Sequence, residues 1–227
     1  MDTIEFDKIT ASLGQGVQLM AACKTQTIDK IDQIAQAGVR LFGENYVQEA
    51  IDKWNTPEGQ ELKTKYGLKV HLIGHLQSNK ARMAAQLFDG VDALSSFKTA
   101  QQLNAACTER EPMPVLLQYN ALGEESKQGL TTFAQMLHLA QAVHELPHLR
   151  LDGIMAMAPL TNDEQITLRA FKQTQELFLS LKTYLPAGLM NTLSMGMSGD
   201  YQLAVQYGST RVRLGTMLFG ARVPLAK

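Results

Sequence analysis

The sequence predicts an α/β protein in which parallel strands close into a (β/α)8 TIM barrel. Three observations carry this. Short apolar runs alternate with stretches of helical periodicity eight times along the chain. Each return to a parallel strand needs a crossover, and a helix is the usual one. The length, 227 residues, is normal for one such barrel and buries a full core without staples. Polar residues collect just past the carboxyl ends of the runs, where the loops of a barrel build a pocket. A doubly wound open sheet is the alternative; closure is preferred because it removes exposed strand edges.

The elements follow in order. The first apolar run is Gln18 to Ala22. Thr27 is placed to cap a helix with Ile28, Ile31, Ile34 and Ala35 on one face, ended by Gly38. Val39 to Phe42 is the second run, with a helix from about Glu44 to Trp54 behind it. The segment from Pro57 to Leu68 is polar and poorly periodic, and reads as a helix extension or a loop. Val70 to Ile73 is the third run, backed by a helical face of Met83, Ala84, Leu87 and Phe88. Val91 to Leu94 is the fourth, followed by a helix near residues 98–109.

The second half repeats the rhythm. Val115 to Tyr119 precedes a helical face of Leu130, Phe133, Ala134, Leu137 and Ala140. Leu151 to Met155 precedes a longer helix, opened by a Thr161-to-Glu164 capping box and striped by Phe171, Thr174, Phe178, Leu181 and Leu185. Leu189 to Leu193 is the seventh run, after which Ser198 caps a short helix reaching about Gln206. Val212 to Leu214 is the eighth, with a short helix after Gly215.

Composition narrows the function. Hydrophobic residues make up 45% and charged residues 19%, a globular balance rather than a disordered one. Lys plus Arg number 21 and Asp plus Glu 22, so no global basic field draws the chain to nucleic acid or an anionic membrane. Cys23 and Cys107 lie far apart with no metal-like spacing, which reads as reduced thiols in a cytoplasmic protein. The N-terminus lacks a secretory pattern, and no apolar stretch has membrane-spanning length. The expectation is one cytoplasmic domain over residues 1–227. His71 and His75 find no third ligand at metal-like spacing, so no metal is expected.

Three positions carry chemistry. Lys24 follows the first strand directly. A lysine there is either an amine sheltered enough to attack a carbonyl or one that snorkels to solvent. Ser198-Gly199-Asp200 and Gly215-Thr216 open helices after strands seven and eight. They are ordinary caps or a phosphate cradle, since barrels often hold phosphate there. Arg213 sits between Val212 and Leu214 and faces away from both, so it points into the barrel and needs an acceptor. A carboxylate is the plain answer; an unprotonated ring nitrogen is the specific one.

At these residues the chain resembles the YggS/PROSC family of pyridoxal phosphate homeostasis proteins. The matching stretches are Ala22-Cys23-Lys24-Thr25, Phe42 to Glu49 (FGENYVQE), and His71 to Lys80 (HLIGHLQSNK). Further on come Gly123 to Gly129, Gly153 to Pro159, Leu193 to Ser198, and Gly208 to Thr216, ending in Phe219-Gly220-Ala221-Arg222. The resemblance implies a fold-type III pyridoxal 5'-phosphate (PLP) barrel similar to the N-terminal domain of alanine racemase. It implies that Lys24 forms the Schiff base, that Arg213 contacts the pyridine nitrogen, and that Ser198, Gly215 and Thr216 cradle the phosphate with Ser194 near. Asn45 matches a pocket residue and Met155 a wall position. Members of the family usually show Ser before the lysine and Lys-Pro after Lys-Thr; here Cys23 and Gln26-Thr27 stand in those places.

The implied function is intracellular PLP, that is vitamin B6, homeostasis without robust catalysis, with PLP-dependent apoenzymes as candidate recipients. An arginine hydrogen-bonds a ring nitrogen but does not readily protonate it, which leaves the ring a weak electron sink. In the similar racemase the second base is a tyrosine from a C-terminal β domain, and this chain stops at Lys227. The alternatives are a weak amino-acid racemase using Lys24, a cofactor-free Schiff-base aldolase, and an interaction protein with a vestigial pocket.

Overall fold

The computed structural model describes residues 3–124, 128–159, 161 and 163–220. Glu125, Ser126, Lys127, Ala221 and Arg222, which belong to the stretches quoted above, lie outside the described residues. Eight strands form a closed barrel in sequence order: β1 (Gln18–Ala22), β2 (Leu41–Glu44), β3 (Lys69–Leu72), β4 (Gly90–Leu94), β5 (Met113–Tyr119), β6 (Leu149–Ala156), β7 (Thr192–Ser194) and β8 (Arg211–Leu214). Every neighbouring pair is parallel, and β8 pairs back onto β1. Met20 on β1 aligns with Leu41 on one side and Arg213 on the other. The open sheet is thereby excluded.

Ten α-helices are described. They are α1 (Thr3–Leu13), α2 (Ile28–Gln36), α3 (Val47–Trp54), α4 (Pro57–Tyr66), α5 (Ala81–Leu87), α6 (Phe97–Ala106), α7 (Phe133–His144), α8 (Glu164–Tyr184), α9 (Tyr201–Gln206) and α10 (Thr216–Phe219). The sequence reading has no counterpart for α1. Its Phe6, Ile9 and Leu13 form the buried stripe, and Ser12 bonds the Tyr201 hydroxyl of α9 at 3.0 Å. The polar Pro57–Leu68 segment is a helix of its own, because its ends are well built. Thr56 accepts from Gly59 N–H at 3.1 Å, Pro57 opens the first turn, and Gly67 closes it at φ +61. Its periodicity is weak because Gly59 and Leu62 are the buried positions of the helix.

Several predicted caps move. Glu44 ends β2 instead of opening a helix, and α3 begins at Val47. Thr27 holds the N-cap position of α2 without a side-chain capping bond. Leu130 lies before α7, bridged to Tyr119, and α7 is opened by a Thr132–Gln135 capping box. At α8 the cap is Asp163, which accepts from Gln165 N–H at 2.9 Å, while Thr161 accepts from Asp163 N–H. The predicted Thr161–Glu164 box gives way to this because Asp163 is two residues nearer the first turn. Asp200, not Ser198, stands at the N-cap of α9. The seventh strand is Thr192–Ser194, later than the predicted Leu189–Leu193.

The large apolar core lies between strands and helices, with Trp54, Phe42, Phe88 and Phe171 fully buried. Inside the barrel, Met20, Leu41 and Ile73 form one small cluster and Ala93, Leu116 and Met155 another. The amino ends of the strands are closed by a buried polar group. Asp92 bonds His71 Nδ1 at 2.8 Å and accepts from Arg211 Nη1 at 2.9 Å, and Arg211 Nε donates to Gln18 at 2.8 Å. Burial pushes the Asp92 carboxyl up, but His71 and Arg211 outweigh it and hold the group below its ordinary value. No described helix is long and apolar enough to cross a membrane, and no described cluster of His, Cys, Asp or Glu could hold a metal ion.

Candidate functional site

A pocket of about 880 Å³ opens at the carboxyl ends of the strands. It is lined by Lys24, Asn45, Ser198, Arg213, Gly215 and Thr216, six of the eight residues singled out from the sequence. The other two lie behind them. Met155 is fully buried in the barrel interior, with Met157 packed on it and facing the pocket. Ser194 is fully buried, and its hydroxyl accepts from Arg213 Nη1 at 2.7 Å.

Arg213 is placed by β8 and only 4% exposed. Nη1 also donates to Ser194 O at 2.9 Å, and Nη2 donates to Ala156 O at 2.8 Å. Its acceptors are thus a hydroxyl and two carbonyls, not the carboxylate that is the plain expectation. Burial pushes the guanidinium down to about 10, against the pull of Asp92 and Asp200, so it stays protonated at neutral pH. Asp92 is committed instead to Arg211, one alternation earlier on the same strand.

Ser198 does its work at the last helix. Its hydroxyl accepts from Gly215 N–H at 3.2 Å and Met217 N–H at 3.3 Å. This ties the β7 loop to the start of α10 and brings Ser198, Gly199, Gly215 and Thr216 onto one wall. Asp200 lines the same wall; burial pushes its carboxyl up, while the Met197 N–H and the Arg213 charge oppose that shift.

Lys24 is half-buried in a turn after β1, with Nζ 5.8 Å from the centre of the exposed Tyr46 ring. The turn is closed by Gln26 N–H donating to Cys23 O at 3.1 Å, and Thr25 adopts φ +63°. That left-handed conformation costs a β-branched residue about 1–2 kcal/mol. Cys23 is fully buried and donates to Glu44 Oε1 at 3.2 Å. Burial, then the Glu44 charge, pushes the thiol well up, so it stays protonated and unreactive.

Glu44 is the centre of a cluster that the sequence reading does not identify. Oε1 accepts from Lys53 Nζ at 2.8 Å and Trp54 Nε1 at 2.9 Å as well as from Cys23. Oε2 is buried without a hydrogen-bond partner. Burial pushes this carboxyl up although all three donors pull it down. Lys53 also pairs with Glu49 at 3.2 Å, an i,i+4 pair that the sequence does display. Asn45, next in the chain, is placed by close approach: a Cβ on Gly74 would lie 2.0 Å from Asn45 O, so only glycine fits after β3. Gln26, Met157, Thr161, Glu164, Thr167, Tyr201 and Gln202 complete much of the wall. Thr167, Tyr201 and Gln202 show no signal before the helices are placed.

Residues 5–223 match the family described as alanine racemase, N-terminal domain. The chain is 44% identical over 207 residues to the pyridoxal phosphate homeostasis protein of Haemophilus influenzae, covering 91% of this chain and 85% of that one. It is 41% identical over 223 residues to the protein of that name from Escherichia coli K12, covering 95% and 93%. Among solved structures, PipY of Synechococcus elongatus with PLP bound superposes with TM-score 0.83 at 33% identity, covering 96% of this chain and 99% of that one. Alanine racemase from Clostridium difficile shares the fold, with TM-score 0.75 at 13% identity, over 97% of this chain and 56% of that one. The chain belongs to the pyridoxal phosphate homeostasis protein family, built on the alanine racemase N-terminal barrel.

Proposed function

We propose that this chain is a single barrel domain over residues 1–227 that binds PLP as a Schiff base on Lys24 and serves cytoplasmic PLP homeostasis without robust catalysis. One observation carries the reading: a primary amine, a buried guanidinium and a small-residue wall with two hydroxyls face one pocket. Those residues fit the three parts of the cofactor. Lys24 would take the aldehyde end, Arg213 the ring nitrogen, and Ser198, Gly199, Gly215 and Thr216 the phosphate, with Asn45 beside the ring. Ser194 and Met155 act from behind, the first by holding Arg213 and the second by backing Met157. PLP held there would supply an aldehyde able to condense with the neutral Lys24 amine, with loss of one water.

The chain's own residues hold rather than turn over. Arg213 stays protonated and donates hydrogen bonds, so it offers no proton to a ring nitrogen and leaves the ring a weak electron sink. The tyrosine on the lining, Tyr201, bonds Ser12 on α1 through its hydroxyl, so that hydroxyl is engaged away from base duty. A protein that stores a reactive aldehyde in this way is suited to passing it to PLP-dependent apoenzymes.

Borohydride reduction of the PLP-loaded protein, followed by digestion and mass mapping, tests this directly. The expected adduct lies on the peptide containing Lys24 and is lost in Lys24→Ala. An adduct elsewhere removes the attachment assignment. Amino-acid racemisation abolished by Lys24→Ala would overturn the non-catalytic reading.

A further inference from the structure

Lys24 is gripped on both sides by α3. The peptide group before it presents Cys23 O, which accepts from Lys53 Nζ at 2.9 Å. The peptide group after it presents Thr25 N–H, which donates to Glu49 Oε1. Fixing two successive peptide planes fixes the backbone of the residue between them and therefore the direction in which its side chain leaves. The grip is needed because the turn is strained: its third position, where φ is positive, is one that turns usually give to glycine, and here it is Thr25. Cys23 N–H is bonded to Gly43 O at 2.9 Å, so the turn is also anchored from β2. The two gripping side chains are one helical turn apart and paired with each other, and Lys53 is anchored in turn by the buried Glu44.

We propose that Glu49 and Lys53 are positioning residues that hold the Cys23–Gln26 turn in its left-handed form and so aim the Lys24 amine into the pocket. The proposal rests on the reading of Lys24 as the attachment residue. Neither side chain lines the pocket, so both act through the backbone of the turn. Preorganising the amine removes an ordering cost from every encounter with the aldehyde, which is a rate effect as much as an affinity effect.

Glu49 is the residue to change, because Lys53 also neutralises Glu44 and its loss threatens the fold. Three quantities are read on wild type, Glu49→Ala and Glu49→Gln. They are amide hydrogen exchange at Thr25 in PLP-free protein, the rate of borohydride-trapped loading mapped to Lys24, and the PLP-free melting temperature. Thr25 is exposed, so slow exchange there reports the Glu49 bond and not general burial. Glu49→Ala is expected to lose the exchange protection and to load about tenfold more slowly, with melting unchanged within about 2 °C. Glu49→Gln keeps an acceptor oxygen and is expected to restore most of both. Wild-type loading in Glu49→Ala with the adduct on Lys24 overturns the positioning role and leaves the attachment standing. Slower loading matched by a fallen melting temperature overturns it equally. A wild-type adduct away from Lys24 instead removes the reading beneath it.

Discussion

Arg213 lies beneath the pocket with its charge supported by oxygens that carry none. Each of those bonds involves an ionised partner in a dry setting, where a single loss costs about 1.5–3 kcal/mol. Ser194→Ala is therefore expected to lose stability in that range by urea denaturation, although Ser194 touches no pocket surface. Asp92 carries the opposite burden at the far end of the barrel. Its carboxyl titrates below its ordinary value in the folded chain, so the folded state binds fewer protons than the unfolded state around and below about pH 4. The stability it contributes is complete above that range and declines as pH falls through the folded value. Asp92→Asn should cost about 3 kcal/mol at neutral pH, and the gap from wild type should narrow on acidification. A gap that is constant from pH 7 to pH 3 would remove Asp92 as its source. Lys24 and the Ser198 and Gly215 loops are legible in the sequence because each lies just past a strand, and Arg213 because it alternates with Val212 and Leu214 inside one. The Glu44–Lys53 pair is not, since one residue ends β2 and the other lies in the last turn of α3, and only the fold brings them together.

At the level of elements, the pocket depends on how closely neighbouring loops approach. Gly74 is pressed against the Asn45 carbonyl, and an added methyl group would lie 2.0 Å from it. That contact is backbone on backbone and cannot be relieved by a rotamer change. Gly74→Ala is expected to destabilise by about 1–3 kcal/mol and to weaken PLP binding through the displaced Asn45, measured by thermal melting and by absorbance titration. The apolar periodicity finds all eight strands and most helices, because burial against a common core imposes it. It fails for α4, which buries little, and for Leu130, an apolar residue that serves a bridge to Tyr119 and not the face of α7. Capping errors share one cause. Thr161, Ser198 and Asp200 are all competent caps, and choosing among adjacent candidates requires the direction in which the chain enters the helix.

Across the whole molecule, a ligand that binds only the folded barrel stabilises it by mass action. At a PLP concentration one hundred times the dissociation constant, the gain is about 2.7 kcal/mol, or roughly 5–10 °C for a domain of this size. Lys24→Ala should keep a smaller shift, because the contacts proposed for Arg213 and the Ser198–Thr216 wall would remain; equal shifts in both proteins would deny Lys24 any share in binding. The eight-fold rhythm makes closure legible in advance, but the polar plug at the amino end is hidden because its Asp92, Arg211, His71 and Gln18 come from four separate strands. Closure has a temporal side too. Lys24 follows the first strand and Arg213 belongs to the last, and β1 and β8 are hydrogen-bonded neighbours. During translation the amine, just past β1, leaves the ribosome before the six strands β2 to β7, and its guanidinium companion is made only with β8. If PLP binds as proposed, nascent chains stalled before Arg211 are thus expected to capture none, and loading would wait for the eighth strand.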